Sequence, residues 1–501
     1  MRFIFTIVLL SALSVPTLLF AEEQPKVAQP SPAVTPANSS VSACTSSIDN
    51  ILDRAIAHNL IAGGVAVIGN RDGIIATAAR GQLNPAAGGK ALDDRSIFDL
   101  ASLTKVIATT PAVMKLLDQG VISLSDPISR WFPEFAEAGH GDITVLNLLT
   151  HTSGLDDFSI GSDQPIQYAI RKAATERSRA GSRFHYADIN FILLGELVHR
   201  VSGETLDAFC QSQIFRPLGA GETMFLPPKE LAASIAPTSG YVPGVVQDPN
   251  ARRLGGVAGH AGLFSSAYDL SLYARMILGG GVLGDKRILS EQVIAQMTTP
   301  YACSNGSVKR GLGWDIKSPF SAPKGSYFSD ASFGHTGYSG SSIWIDPKQD
   351  LFVILLTRRL NYHDTHNFNQ LRRDISTVAA ADLKGIALPR ALAPALEADR
   401  VPAELAEAVS HDIQVYEEDG ILVATNIKKE SPHSENGVLV ANNIKKESQH
   451  SESQPHFQRL SKVERHCAKS VSVRRGARVL RVARADIRKP SHHKKRRIVK
   501  S

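Results

Sequence analysis

Cysteine is scarce in this chain: four residues in 501, Cys44, Cys210, Cys303 and Cys467, with no close metal-type spacing between any two. That excludes a disulfide-built scaffold and a cysteine-built metal centre; spacing selects none of the three ways of pairing four cysteines. Acidic residues are nearly missing from one segment. Residues 465–501 hold fourteen Lys and Arg against one acid, Asp486, so the net charge of +7 belongs to this block and the remainder is net negative. No aromatic residue interleaves with these charges, which argues against nucleic acid, whereas anionic lipid heads, lipopolysaccharide or acidic wall polymers need charge alone. A third repeat is also missing. Gly420 to Ser431 recurs almost letter for letter as Gly437 to Ser448, a period of 17; two copies within 420–452 cannot build a solenoid and leave a small hairpin pair or an unstructured stretch.

What is present begins with a secretory pattern. Arg2 precedes an almost unbroken apolar run over residues 3–20, and Ala21 stands before Glu22-Glu23, so residues 1–21 read as a cleaved signal and the chain as exported, periplasmic or envelope-associated. Residues 22–45, with Pro25, Pro30, Pro32 and Pro36, read as a linker. Residues 46–390 alternate regularly enough for one large core. A helix pattern at Ile48 to His58 leads into strand-like runs at Gly64 to Ile68 and Ile74 to Ala79 around Asn70-Arg71-Asp72-Gly73. Strand patterns return at Ser342 to Ile345 and Leu351 to Thr357, followed by a helix over His366 to Asp382. Strands at both ends with helices between predict an α/β domain, one sheet built from both termini with an inserted helical lobe. Residues 391–419 are rich in Ala, Pro and Glu and read as a second linker, and 465–501 as a disordered tail.

The chemistry centres on Ser102-Leu103-Thr104-Lys105. If Ser102 opens a helix, a separation of three puts the Lys105 amine on the same face as the Ser102 hydroxyl. A serine must lose its proton as it attacks, and a lysine takes that proton if burial or nearby positive charge lowers its pKa. Free N–H groups at the helix start would face the developing negative charge, while Pro111 should kink or interrupt the helix. A Ser-x-x-Lys also occurs by chance as a surface pair, so its company matters. Four stretches supply it: Leu148 to Leu155 around His151-Thr152-Ser153-Gly154, Phe184 to Phe191, Gly255 to Ser265, and Gly334-His335-Thr336-Gly337-Tyr338-Ser339-Gly340-Ser341.

Together and in this order these stretches resemble the serine β-lactamase and penicillin-binding protein superfamily, on the branch of class C β-lactamases, Streptomyces-type D-alanyl-D-alanine carboxypeptidases and related esterases. The resemblance implies the β-lactamase-like fold over residues 46–390, an antiparallel sheet flanked by helices. It makes Ser102 the acylated nucleophile, Lys105 its base partner and Tyr186 the phenol that shuttles the proton. His335-Thr336-Gly337 becomes the strand facing Ser102, and Tyr338 supplies its N–H as an oxyanion donor beside that of Ser102. It also implies an acyl-enzyme without metal or organic cofactor, acting on a small-molecule or peptidoglycan-like substrate. Carboxypeptidase-like or esterase-like hydrolysis is favoured, with class C-type β-lactamase action or low-turnover penicillin binding as alternatives.

Two departures bear on substrate. Asp188 stands where the family has Asn and cannot donate to an amide carbonyl; it either weakens amide recognition or pairs with Lys105. His335 replaces lysine, and a carboxylate held by it should bind less well as pH rises through neutrality. His151 and His260 read as structural hydrogen-bonders.

Overall fold

The computed structural model describes residues 38–83, 89–161, 163–175, 180–181 and 183–386, together with the strand backbones at 413–418, 421–426, 468–475 and 478–485. The chain divides into two units, Met1–Leu388 and Pro389–Ser501. The secretory segment and the second copy of the repeat lie outside the described residues.

The first unit is built on an antiparallel sheet of eight strands: β1 (Ile61–Gly69), β2 (Ile74–Gly81), β3 (Tyr301–Cys303), β4 (Val308–Arg310), β5 (Asp315–Lys317), β6 (Phe333–Thr336), β7 (Ser342–Asp346) and β8 (Leu351–Arg359). Their spatial order is β2-β1-β8-β7-β6-β5-β4-β3. Strands from the two ends of the domain therefore pair directly, with Val65 opposite Leu356 and Ile68 opposite Val353. β1 and β8 are buried at nearly every position, which requires cover on both faces. The helices Asn38–Ala57 and Thr365–Leu383 pack on each other and on the sheet, and Ala267–Leu278 packs on β1 and β8. The other described helices between β2 and β3 form the inserted lobe and share one continuous core with the sheet.

Several boundaries differ from expectation for physical reasons. The first helix starts at Asn38, inside the segment read as linker: the Ser-rich sequence has modest helix propensity, but Cys44, Ile48 and Leu52 are buried and fix it against the domain. Ser102 lies in a single 3₁₀ turn, Ala101–Leu103, and not at the start of a long helix. A π-turn at Lys105–Thr109 follows, and the α-helix proper is Thr110–Asp118, with Pro111 in its first turn where a missing N–H costs nothing. Strands β3, β4 and β5 have three residues each, too short to register as an alternation. Cys44, Cys210 and Cys303 are buried free thiols.

In the second unit, Ile413–Glu418 pairs antiparallel with Ile421–Asn426, so the first repeat copy contributes one strand of a hairpin. Ala468–Arg475 pairs with Arg478–Ala485 within the basic segment. That hairpin differs from the expected disorder, and the sequence supplies its cause: Val471, Val473, Val479 and Val482 are β-branched residues set among the arginines.

Candidate active site

The turn that presents Ser102 is set by its neighbours. Ala101 adopts φ +46°, a left-handed conformation disfavoured for a residue with a Cβ. Its N–H is held by Asp99 Oδ1 at 2.8 Å, while Asp99 Oδ2 accepts from Gln247 N at 2.8 Å. Two hydroxyls tie the turn after β6 to the same segment: Ser339 Oγ donates to Asp99 O at 2.6 Å and Ser341 Oγ to Leu100 O at 2.8 Å. Gly337 makes that approach feasible, since a Cβ there would lie 2.3 Å from Leu100 O. The strand carrying His335, Thr336 and Gly337 is thereby fixed beside the nucleophile.

Lys105 Nζ lies 2.9 Å from Ser102 Oγ, 3.1 Å from His260 O and 2.7 Å from Asp188 Oδ1, and the side chain is wholly buried. The π-turn widens the helix where a buried lysine must be accommodated, and Thr109 at its end donates to Gly259 O at 2.6 Å. The Tyr186 hydroxyl lies beside Ser102 and Lys105, whose Nζ is 5.2 Å from the ring centroid. Its ring stacks on that of His151, centroids 4.4 Å apart. His151 Nδ1 accepts from Ala187 N at 3.3 Å, and Asn190 donates to Ala187 O at 3.0 Å. The tyrosine therefore sits on a buried polar platform.

Burial alone would drive the Lys105 proton off, but the Asp188 carboxylate and the Tyr186 hydroxyl outweigh it and hold the amine above the ordinary lysine value. This corrects the expectation of a lowered lysine; an anion in direct contact reverses the sign. Burial raises the Tyr186 phenol against the opposing pull of Lys105. For Asp188, burial is overcome by Lys105 and then His260, which keep the carboxyl below its usual range. At rest the site thus holds a hydroxyl, an ammonium, a carboxylate and a phenol. Asp188 is the counter-ion of Lys105, the second of the two readings its position allows. Behind it, His260 Nε2 pairs with Asp248 Oδ1 at 2.8 Å. Asp188, Asp248 and His260 bring potential ligand atoms within 4.8 Å of one another, and the Lys105 ammonium is the cation set against them.

A cavity of about 250 Å³ opens at Ser102, lined by Tyr186, Phe320, His335, Trp344 and Arg372 among others, with Tyr338 at its exposed edge. Burial, then Arg310 and Lys105, hold His335 well below the ordinary histidine value, and its Nδ1 lies 2.8 Å from Thr336 O. Its charged form is therefore disfavoured, against the expectation of a histidine that titrates through neutrality as a carboxylate anchor. The expected result is a Michaelis constant for an anionic substrate that stays flat between pH 6 and 8 and rises only as Arg372 loses its proton near 9, measured by steady-state kinetics; a rise across neutrality would restore the charged histidine.

Positive charge comes from elsewhere. Arg310, Arg359 and Arg372 all line the cavity, against Asp315 alone. Arg310 pairs with Asp315 at 3.2 Å. Arg372 is buried, donates to Gly337 O at 2.6 Å and Ser341 O at 2.9 Å, and makes no ion pair among the described residues. Burial and then Arg359 lower it to about 9, so it remains a cation at neutral pH. Asp364 caps the helix that delivers it, accepting from Asn367 N at 3.0 Å. Reading motifs alone missed Asp99, Asp248, Ser339, Ser341 and the three arginines. Ser339 and Ser341 lay inside a recognised stretch; the arginines carry no local signal.

Residues 52–375 match the Beta-lactamase family, and the chain belongs to that family. Among its relatives is an Escherichia coli (strain K12) protein named as a candidate D-alanyl-D-alanine carboxypeptidase, 29% identical over 306 residues, 53% of this chain and 69% of that protein. Another is the N-acetylmuramyl-L-alanine amidase of Bacillus subtilis (strain 168), 28% identical over 360 residues, 62% and 80% of the two chains. Among solved structures, EstCE1, a hydrolase with promiscuous acyltransferase activity, superposes with a TM-score of 0.56 at 21% identity over 68% of this chain and 99% of its own. A class C beta lactamase from Rhodobacter sphaeroides gives 0.55 at 18% identity over 68% and 99%. These likenesses establish the β-lactamase-like fold.

Proposed function

We propose that this protein is an exported serine hydrolase that acylates Ser102 and cleaves amides or esters in a carboxypeptidase-like or esterase-like manner. The observation that carries this reading is the 2.9 Å contact between Ser102 Oγ and Lys105 Nζ at the mouth of a cavity. Attack on a substrate carbonyl forms an acyl-enzyme, with the N–H groups of Ser102 and Tyr338 receiving the oxyanion and Tyr186 passing a proton to the leaving group. The cavity's surplus of arginine over carboxylate favours a substrate with a free carboxylate, with Arg372 its binding partner. The names of the E. coli and B. subtilis relatives, a carboxypeptidase and an amidase, agree with amide cleavage. The basic residues of 465–501 hold the enzyme at an anionic envelope surface by charge.

Intact-mass spectrometry of the full chain with a fluorophosphonate and with a penicillin tests the reading, beside Ser102→Ala. One adduct per chain, lost in the variant, is expected. A penicillin adduct that persists separates peptidase-like from lactamase-like turnover. Absence of labelling, together with an untouched short-chain ester, would leave a binding protein in place of an enzyme.

A further inference from the structure

The resting charges leave the proton of Ser102 without an obvious destination. Lys105 already carries its proton and Tyr186 keeps its own. Four groups surround Lys105 Nζ: Ser102 Oγ at 2.9 Å, His260 O at 3.1 Å, Asp188 Oδ1 at 2.7 Å and the Tyr186 hydroxyl. Ser102 is the donor in the reaction, His260 O is an amide carbonyl of negligible basicity, and the phenol is occupied. The Asp188 carboxylate is the remaining base in contact.

We propose that Asp188 is the terminal proton acceptor during acylation and that Lys105 conducts the proton to it. This rests on Ser102 forming an acyl-enzyme. As the Ser102 Oγ–C bond forms, the carbonyl π pair moves to its oxygen. The Ser102 O–H breaks towards Lys105 Nζ while one Lys105 N–H proton passes to Asp188 Oδ1. The ammonium persists, the carboxyl becomes neutral, and the lost carboxylate charge reappears on the oxyanion, so net charge is conserved. On collapse the proton returns along the same path and reaches the leaving group through Tyr186.

Lys105 keeps the resting Asp188 carboxyl ionised, while like charges near it favour the protonated form once the proton is passed over. Asp157, from the loop before it, holds Ile189 N at 3.1 Å and adds negative charge beside Asp188; Asp248 adds more from the opposite loop, and the His260 ring and Lys105 oppose both. His151, Arg310 and His335 face Tyr186 and Lys105 from the remaining sides. The receiving oxygen, Asp188 Oδ1, is itself buried and has no hydrogen-bond partner among the described residues beyond its 2.7 Å ion pair with Lys105, so it has capacity for a proton that solvent does not reach.

The test is the pH dependence of kcat/KM between pH 5 and 10 with p-nitrophenyl acetate, for the full-length protein, Asp188→Asn and Asp188→Glu. With Asp188 as acceptor, the wild type is flat from pH 6 to 9, because no proton is lost to solvent before attack. Asp188→Asn falls at least tenfold below it at pH 6–7, where its lysine must first ionise, and Asp188→Glu keeps the flat profile. A wild-type rate climbing tenfold per pH unit towards pH 9, or an Asp188→Asn variant matching or exceeding the wild type across pH 6–9, overturns the proposal. The wild-type profile decides even if a variant fails to fold. Should Ser102 take up no acyl group at any pH, the acyl-enzyme reading fails instead, and the mass measurement separates the two.

Discussion

Replacing Gly259 with Ala is expected to lower stability and activity together. An added Cβ would stand 1.9 Å from Phe191 O and 2.9 Å from Gly195 N, both backbone atoms of the helix Ile189–Ser202. Neither can rotate away, so the loop carrying Gly259 must lift. Overpacking of this kind costs about 3 kcal/mol, read as a lower urea midpoint. The same loop supplies the carbonyls of Gly259 and His260 that receive Thr109 and Lys105. A displacement of about 1 Å at the catalytic amine reduces turnover by roughly 100-fold. Unchanged midpoint and unchanged kcat would show that the loop is not what seats Lys105.

Lys105→Ala should have the larger effect on turnover. It removes the group that moves the Ser102 proton, for which a loss of about 10²–10⁴-fold in kcat/KM is expected, together with slow or absent fluorophosphonate labelling of Ser102. It also strips Asp188 of its counter-ion. Because Asp188 keeps 29% of its side-chain surface, solvent screens part of that loss, and about 2 kcal/mol is expected where a fully buried pair would cost more. The pH dependence has a definite sign. Lys105 is held above its ordinary value, so its contribution is complete below that value and vanishes as pH rises through the raised one. Asp188 is held below its ordinary value, so its contribution is complete above the carboxylate range and vanishes as pH falls through the lowered one. The stability gap between wild type and variant should therefore be widest between the two ranges and close on either side, as denaturant titrations across pH would record.

The residues legible in the sequence are those that chemistry holds close together along the chain. Ser102 and Lys105 share one turn, Tyr186 and Asp188 one short segment, and His335, Thr336 and Gly337 one strand with the glycine its approach demands. The two-ended sheet was legible too, because β1, β2, β7 and β8 are long enough to show a pattern. What escaped was set by distant parts of the fold. No local pattern places Arg372 in the same cavity as Ser102, or Asp248 and His260 behind Lys105. The pairing of Asp188 with Lys105 is one of the two readings the motif allows; its effect on the protonation of the lysine depends on a 2.7 Å contact that no local pattern carries. Residues 38–45 read as linker because composition speaks for the isolated segment, whereas Cys44 is fixed by the domain, down to a hydrogen bond with Asp382 at the far end of the helix Thr365–Leu383.

The pinning of Ser339 to Asp99 and of Ser341 to Leu100 spans 240 and 241 residues of chain. Such closures come late in folding, since loop entropy must be met before distant contacts form. The serine turn is therefore assembled only after nearly the whole domain has been synthesised. Until then the nucleophile has no opposing strand, and a chain that has not yet supplied Ser339 and Ser341 lacks the contacts that hold its turn.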